Sequence, residues 1–227
     1  MIKMRFYEFR NILFDLDGTV TDPYEGITAS ILYSLEYFPE IRTPGKEELK
    51  TFIGPPLSDS YRRYFGMSEQ EAGEAVESYR EYYREKGIFE NRLYDGMKEL
   101  LSAIKNSGKS IYLATSKPEI FARRILEYFD IYGYFDGVYG SSLDGKTVKK
   151  EDIIALLIER QGCDPRDTLM VGDTVYDIIG AARCSIKAVG VTYGYGDEEV
   201  LRKAGAAATV KTVEELRELL INTPKRE

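Results

Sequence analysis

The sequence predicts an α/β fold in which a parallel-sheet core is interrupted by a helical insertion. A short apolar stretch at 10–14 runs into an Asp-rich turn, as a buried strand does where it reaches the edge of a sheet. Residues 20–90 show helical periodicity and no convincing strand. From residue 94 onward strands and helices alternate, which is typical of a parallel sheet covered by helices on both faces.

The insertion is predicted to be all-helical. Its first helix spans 24–37, where apolar residues recur at helical spacing on one face. Three further helical stretches are predicted between 46 and 86, and Gly- or Pro-containing breaks at 54–56 and 66–68 separate them. The predicted domains are therefore a helical cap at 20–90 and a discontinuous α/β core formed by 1–19 and 91–227.

The second half of the chain is interpreted as repeated strand–helix pairs. Each strand is a short apolar run that ends in polar or turn-forming residues, and each helix has apolar residues at helical spacing. Strands are predicted at 110–114, 137–139, 168–171 and 186–191, helices at 96–106, 119–129, 150–161 and 175–184, and a last strand–helix pair at 208–220.

Composition excludes several kinds of chemistry. The 227 residues include no histidine, so Ser-His-Asp and Cys-His catalysis and His-ligated metals are excluded. A net charge of −7 without a basic stripe argues against a nucleic-acid binder. The sequence has no apolar run of about 18 residues and no secretory signal at its N-terminus, so we expect no membrane span and no export.

The two cysteines and the remaining reactive groups narrow the chemistry further. Cys163 and Cys184 form no CxxC motif and imply no disulfide framework, so a reducing, cytoplasmic location is expected. Catalysis must then rest on carboxylate, amine or hydroxyl groups. These oxygen-rich residues suit a hard metal ion such as Mg²⁺.

Polar residues gather where predicted strands end. Asp15 and Asp17 follow the first strand, Thr115 follows a later one, and Asp173 follows another. Any one of these residues alone is explained as a turn or helix cap. Together they are expected at the carboxyl edge of the sheet, where open α/β sheets bind ligands.

The segment Asp15-Leu16-Asp17-Gly18-Thr19 is the strongest chemical signal. Two carboxylates two residues apart on an extended segment point the same way, so one can attack a substrate while the other handles protons. Gly18 permits a sharp backbone turn, and Thr19 offers a hydroxyl and an amide to an anion.

The segment Gly172-Asp173-x-x-x-Asp177 supplies a second pair of acids. Asp173 ends a strand, and Asp177 lies one helical turn later on the same side. One explanation is that both acids simply favour the start of a helix. The other is that they face the first pair of acids, in which case a cation is needed to offset the repulsion.

Taken in chain order, the Asp-x-Asp-Gly-Thr turn, Thr115, a later Lys and the Gly-Asp-x-x-x-Asp segment resemble the haloacid dehalogenase (HAD) superfamily of phosphohydrolases. The resemblance implies a Rossmann-like parallel-sheet core, and the insertion is similar to the small all-helical cap of the phosphoglycolate phosphatase-like branch. Finer features resemble a bacterial 5′-nucleotidase-like group of that branch, and they lie in Phe52–Leu57, Ile88–Asn91, Ala114–Pro118 and Gly140–Gly145.

The resemblance implies a phosphoric monoester hydrolase that works through an aspartyl-phosphate. Asp15 corresponds to the nucleophile, and Asp17 to the acid that protonates the leaving alcohol and then activates water. Thr115 corresponds to the hydroxyl that holds a phosphoryl oxygen. Lys150 corresponds to the lysine that offsets negative charge, and Lys149 stays open as its rival because the usual Lys-Pro pair is missing.

The same resemblance implies a Mg²⁺ site. Asp15, Asp173 and the backbone carbonyl of Asp17 correspond to its ligands. Asp177 is expected outside direct coordination or bound through a water. A carboxylate that approaches a phosphate dianion needs a cation to overcome their repulsion, which agrees with this assignment.

Three further residues are expected to bind substrate. Thr19 offers its hydroxyl and amide, and Ser116 lies beside Thr115 at the strand end. Lys117 either reaches a substrate phosphate or lies in solvent, and the sequence leaves both interpretations open.

The expected partner is a small phosphorylated metabolite, either a nucleoside monophosphate or a phosphoglycolate-like compound. No nucleic acid and no membrane are expected, and the protein is predicted to be a monomer or a homodimer. One alternative is a phosphosugar mutase, although the cap does not closely resemble the mutase cap. Another is a binding module without catalysis, which the intact set of candidate residues disfavours.

Overall fold

The computed structural model describes residues 5–143 and 149–221. The chain divides into two compact units, with boundaries between Val20 and Thr21 and between Arg92 and Leu93. Within the described residues, no helix is both long and apolar enough to cross a membrane. Residues 144–145, which end the Gly140–Gly145 segment quoted above, lie outside the described residues.

The elements follow one another as strands and helices along the chain. The strands are β1 (Asn11–Phe14), β2 (Thr21–Asp22), β3 (Arg92–Leu93), β4 (Ser110–Pro118), β5 (Gly137–Ser141), β6 (Thr168–Gly172), β7 (Lys187–Val191) and β8 (Ala208–Val210). The α-helices are α1 (Tyr24–Leu35), α2 (Leu57–Phe65), α3 (Glu69–Tyr82), α4 (Met97–Asn106), α5 (Glu119–Tyr128), α6 (Lys150–Gln161), α7 (Val175–Arg183), α8 (Glu198–Lys203) and α9 (Val213–Ile221).

A six-stranded parallel sheet forms the centre of the first unit and confirms the α/β prediction. The strand order is β5-β4-β1-β6-β7-β8. β1 lies inside the sheet, and its Ile12, Leu13 and Phe14 are fully buried, which explains its continuous apolar run. Phe14 aligns with Leu113 of β4 and Val171 of β6. The residues that follow these positions therefore meet at one edge of the sheet.

The second unit is helical, as predicted for the insertion. Its helices α1, α2 and α3 are accompanied by a 3-10 helix over Lys46–Phe52. Tyr61 of α2 is fully buried and its hydroxyl bonds to Ser34 of α1. Tyr79 and Tyr83 are buried and stack with ring centroids 5.3 Å apart, so these two tyrosines serve the packing of the unit.

Three differences from the predicted elements have physical reasons. Residues 20–90 do contain a strand, because β2 forms at Thr21–Asp22, but two residues are too few to show periodicity. β4 continues to Pro118 rather than ending at 114, with a register shift where its residues become polar. Helix α8 was not predicted, because its six residues bury only Leu201 and so carry no apolar pattern.

Two helical glycines of the second unit test how tightly its helices pack. A Cβ on Gly26 of α1 would lie 1.9 Å from the carbonyl oxygen of Gly87, whereas one on Gly73 of α3 meets no described atom within 4 Å. Gly26→Ala should lower the free energy of unfolding by about 1–3 kcal/mol because backbone must move. Gly73→Ala should raise it by about 0.5–1 kcal/mol because alanine favours a helix. Urea unfolding of both variants measures this, and equal stabilisation would contradict the packing.

Candidate active site

Three carboxylates meet at the carboxyl edge of the sheet. Asp15 directly follows β1, Asp173 directly follows β6, and Asp177 lies in the first turn of α7. One carboxylate oxygen from each residue lies within 4.8 Å of the others, and all three residues are buried. The two Asp-containing segments of the sequence therefore come together because β1 and β6 are neighbours in the sheet.

Lys150 lies between two of these carboxylates. Its Nζ is 2.9 Å from Asp15 Oδ1 and 2.8 Å from Asp177 Oδ1, and it donates a hydrogen bond to the Ala114 carbonyl at 3.0 Å. Burial works to lower the pKa of Lys150, but the charges of Asp15 and Asp177 outweigh it and raise the pKa above its ordinary value. The buried ammonium group therefore stays charged and offsets two carboxylates.

The structure distinguishes Lys150 from its neighbour in sequence. Lys149 is exposed and stands just before the first turn of α6, whereas Lys150 is only 3% exposed. Of the two lysines that the sequence left open, Lys150 is the one that contacts the carboxylates. Its catalytic role stays a prediction.

Asp17 is paired with Lys117. The distance between Lys117 Nζ and Asp17 Oδ2 is 2.7 Å, and the Lys117 side chain is only 6% exposed, so this lysine does not lie in solvent. Asp17 Oδ1 is buried and accepts no hydrogen bond from any described residue. Burial raises the pKa of Asp17 even though the Lys117 ammonium works to lower it. A raised pKa favours a carboxyl group that holds and delivers a proton.

The predicted hydroxyl residues lie at the same edge. Thr19 is buried, and its Oγ1 donates to Asp173 Oδ1 at 3.3 Å. Thr115 is buried, and its Oγ1 accepts from the Lys117 amide at 3.2 Å. Ser116 is half-buried beside it. The substrate-binding roles of Thr19, Ser116 and Lys117 stay predictions.

The electrostatics of the carboxylate cluster fit a cation. Burial raises the pKa of Asp173 well above its ordinary value, and the charges of Asp177 and Asp15 raise it further. Such crowding of buried carboxylates is relieved when a divalent ion binds between them, and carboxylate and carbonyl oxygens are the ligands that Mg²⁺ prefers. Asp15, Asp173 and the carbonyl of Asp17 would hold it.

Asp177 differs from Asp173 because one of its oxygens faces an ammonium group, whereas both oxygens of Asp173 accept hydrogen bonds from neutral groups. Its Oδ1 faces Lys150, and its Oδ2 accepts from the amide and hydroxyl of Thr174 at 3.0 and 2.8 Å. This arrangement suits the prediction that Asp177 lies outside direct coordination of the metal.

Gly18 is required by the close approach of two chain segments. Its φ is +79°, and a Cβ at this position would lie 2.1 Å from Asp173 Oδ2. Any larger residue would therefore push Asp173 away from Thr19. The predicted need for glycine in this turn thus has a second cause, which is the space that Asp173 occupies.

The loop after β7 also contacts the site, and sequence reasoning missed it. The Tyr193 hydroxyl donates to the Thr19 carbonyl at 2.9 Å, and the Tyr195 amide donates to Asp173 Oδ2 at 2.9 Å. The available signal was the alternation Tyr193-Gly194-Tyr195-Gly196, which begins two residues after the end of a strand. Nothing local in that pattern names Thr19 or Asp173 as its partners.

Comparisons with known proteins show which family the chain belongs to. The chain matches the family of haloacid dehalogenase-like hydrolases over residues 12–191. The 5′-nucleotidase of Pseudomonas aeruginosa is 45% identical over 194 residues, which cover 86% of this chain and 87% of that protein. The tyrosine-protein kinase PtkA of Mycobacterium tuberculosis is 38% identical over 213 residues, which cover 92% of this chain and 72% of that protein. A crystal structure described as a predicted phosphatase from Clostridium acetobutylicum has a TM-score of 0.89 at 45% identity, covering 92% of this chain and 97% of that chain.

The first unit is a parallel sheet that presents acidic residues at its carboxyl edge, and the helical second unit is inserted after its first strand. The chain belongs to the haloacid dehalogenase-like hydrolases, as the sequence motifs predicted. It is an enzyme of the phosphatase type that acts on phosphate monoesters.

The two adjacent lysines provide a matched test of the site. Lys150→Ala should lower kcat/KM for p-nitrophenyl phosphate by at least about 100-fold, because the buried carboxylates lose the charge that offsets them. Lys149→Ala should change it by less than about twofold, since Lys149 is exposed. Steady-state kinetics on variants shown to be folded by circular dichroism measures both. Equal losses, or a larger loss for Lys149→Ala, would overturn the assignment of Lys150.

Proposed function

We propose that the protein hydrolyses small phosphate monoesters with Mg²⁺ through an aspartyl-phosphate on Asp15. The observation that carries this proposal is the environment of the Asp15 carboxylate. Its Oδ1 accepts from the Leu16 amide at 2.8 Å and faces Lys150 at 2.9 Å. Among the described residues, these two contacts both involve Oδ1, which leaves Oδ2 as the attacking oxygen.

In the first step, Asp15 Oδ2 attacks phosphorus and the bond between phosphorus and the ester oxygen breaks. Asp17 gives its proton to the departing oxygen, so the alcohol leaves neutral. The raised pKa of Asp17 supports this role, because burial keeps a larger fraction of the carboxyl group protonated. The phosphoryl group is then held on Asp15.

In the second step, Asp17 accepts a proton from water as the water oxygen attacks the phosphorus of the aspartyl-phosphate. The bond between phosphorus and Asp15 Oδ2 breaks, inorganic phosphate leaves, and Asp15 returns to a carboxylate. Asp17 has regained the proton that it gave away, so protons balance over the cycle. One carboxyl group serves as acid and base, which explains how a chain without histidine performs the reaction.

Negative charge on the phosphoryl group is the main barrier to attack by a carboxylate. Lys150 offsets charge on Asp15. In the proposed mechanism, Thr115 holds a phosphoryl oxygen. Bound Mg²⁺ would supply further positive charge at the phosphoryl oxygens. Lys117 holds Asp17 at the same edge and thereby keeps the proton donor in place.

For the substrate we propose a nucleoside monophosphate, which the 45% identity to a 5′-nucleotidase supports. A phosphoglycolate-like compound is the other member of the substrate class expected from the sequence. The similarity to a tyrosine-protein kinase makes phosphoryl transfer from ATP to tyrosine the outcome that a substrate screen must separate from hydrolysis.

The screen measures phosphate release from nucleoside monophosphates, sugar phosphates, phosphoglycolate, pyrophosphate and ATP, each with Mg²⁺ or EDTA. We expect Mg²⁺-dependent release that is highest for a nucleoside monophosphate. Release that EDTA leaves unchanged would contradict the metal dependence. Phosphotyrosine on the protein after incubation with ATP, without phosphate release from any monoester, would contradict hydrolysis as the function.

Asp15→Asn tests the nucleophile. The variant should lose at least about 1,000-fold in kcat, because an amide cannot form the acyl phosphate. The matched control is Asp95→Asn, which makes the same change at an exposed position of the same unit and should leave kcat within about twofold. Wild-type turnover by Asp15→Asn would show that another group attacks phosphorus.

A further inference from the structure

We propose that Tyr193 is a positioning residue for the metal site, which it controls through Thr19 and Asp173. The proposal rests on the proposed function in one respect, since Asp173 is taken as a ligand of the metal. Among the described residues, Tyr193 donates its hydrogen bond to the Thr19 carbonyl and not to a carboxylate of the cluster. It acts through a hydrogen bond to the segment that contains the nucleophile.

The contacts form a closed arrangement around Asp173. Thr19 donates its hydroxyl to Asp173 Oδ1 at 3.3 Å, and the Tyr195 amide donates to Asp173 Oδ2 at 2.9 Å. Tyr193, two residues before Tyr195 on the same loop, donates its hydroxyl to the Thr19 carbonyl at 2.9 Å. The loop after β7 therefore contacts both Asp173 and Thr19, and Thr19 is the residue that orients Asp173.

The backbone of this loop is packed directly against the same two segments. A Cβ at Gly194 would lie 2.0 Å from the Gly18 carbonyl oxygen, and one at Gly196 would lie 1.9 Å from the Asp173 carbonyl oxygen. Such approaches leave no room for a side chain at either glycine. The loop is therefore closely packed against the turn after β1 and the end of β6, and the Tyr193 hydroxyl adds a hydrogen bond to that turn.

Tyr193 also contacts the segment at which the chain re-enters the first unit. Its ring packs edge-on against Tyr94, with centroids 4.9 Å apart, and the Tyr94 amide donates to the Val20 carbonyl at 3.3 Å. Thr19 and Val20 precede the point where the chain leaves this unit, and Tyr94 follows the point where it returns. Tyr193 thus contacts the chain both just before it leaves this unit and just after it returns to it.

If Tyr193 orients Asp173, removal of the Tyr193 hydroxyl should weaken metal binding in a protein that still folds. Groups that orient metal ligands from outside the coordination sphere typically change metal affinity 10- to 100-fold when they are removed. Tyr193→Phe keeps the ring that packs on Tyr94 and removes only the hydroxyl that reaches Thr19. We therefore expect Mn²⁺, used as a spectroscopic substitute for Mg²⁺, to bind about tenfold more weakly.

The matched control is Tyr139→Phe. Tyr139 is a buried tyrosine of the same unit, and its hydroxyl accepts a hydrogen bond from Gln161 Nε2 at 2.7 Å. It lies on β5 at the edge of the sheet, away from the carboxylate cluster. Electron paramagnetic resonance of Mn²⁺ added to the full chain gives the dissociation constant for the wild type and for each variant, and thermal unfolding is measured on the metal-free proteins.

We expect Tyr193→Phe to raise the Mn²⁺ dissociation constant about tenfold. Tyr139→Phe should leave it within about twofold and should lower the unfolding midpoint by an amount similar to that for Tyr193→Phe, because each variant loses one part-buried hydrogen bond. Equal Mn²⁺ affinity in the two variants would overturn the positioning role. Failure of the wild-type protein to bind Mn²⁺ would instead contradict the proposed metal-dependent function, so the two failures are distinguishable.

A double-mutant cycle tests whether Tyr193 acts on the metal site through Thr19. Thr19→Ala removes the hydroxyl that reaches Asp173, and it is combined with Tyr193→Phe. If Tyr193 acts through Thr19, the double variant should weaken Mn²⁺ binding by less than the product of the two single effects. Multiplicative effects would show that the two residues act independently and would overturn the proposed route.

Discussion

The structure of the active site depends on one buried ammonium group between two carboxylates. Lys150 is almost fully buried, and its charge is shared by Asp15 and Asp177. Buried charges are tolerated only when they are paired and hydrogen-bonded, and the Ala114 carbonyl supplies the remaining bond. Lys150 is also the first residue of α6, so this interaction links the start of that helix to the edge of the sheet.

The central position of β1 determines which groups can meet this ammonium. Phe14 at the end of β1 aligns with Leu113 of β4 and Val171 of β6, so Thr115 and Asp173, each two residues further along, lie on either side of Asp15. The surroundings of each carboxyl group agree with the different roles proposed for Asp15 and Asp17. Asp15 faces a fixed positive charge and suits attack, whereas burial of Asp17 favours its protonated form and suits proton transfer.

Local sequence patterns were enough to predict the sheet strands, most helices and the candidate carboxylates, because apolar runs and strand-end acids are visible within a few residues. They were not enough for the pairing of Lys117 with Asp17, which lies 100 positions earlier. They also missed Tyr193, whose partner Thr19 is 174 positions away. These contacts depend on the order of strands in the sheet. Helix α8 was not predicted because a single buried residue shows no helical periodicity.

The proposed mechanism requires Asp15 to carry the phosphoryl group between the two steps. The most direct measurement is to quench the enzyme with acid during turnover of its best phosphate monoester with Mg²⁺, and to locate bound phosphate by peptide mass spectrometry. We expect one phosphorylated peptide, with the modification on Asp15 and absent when EDTA replaces Mg²⁺. Phosphate release at the full rate with no phosphorylated Asp15, or phosphorylation at a tyrosine instead, would contradict it.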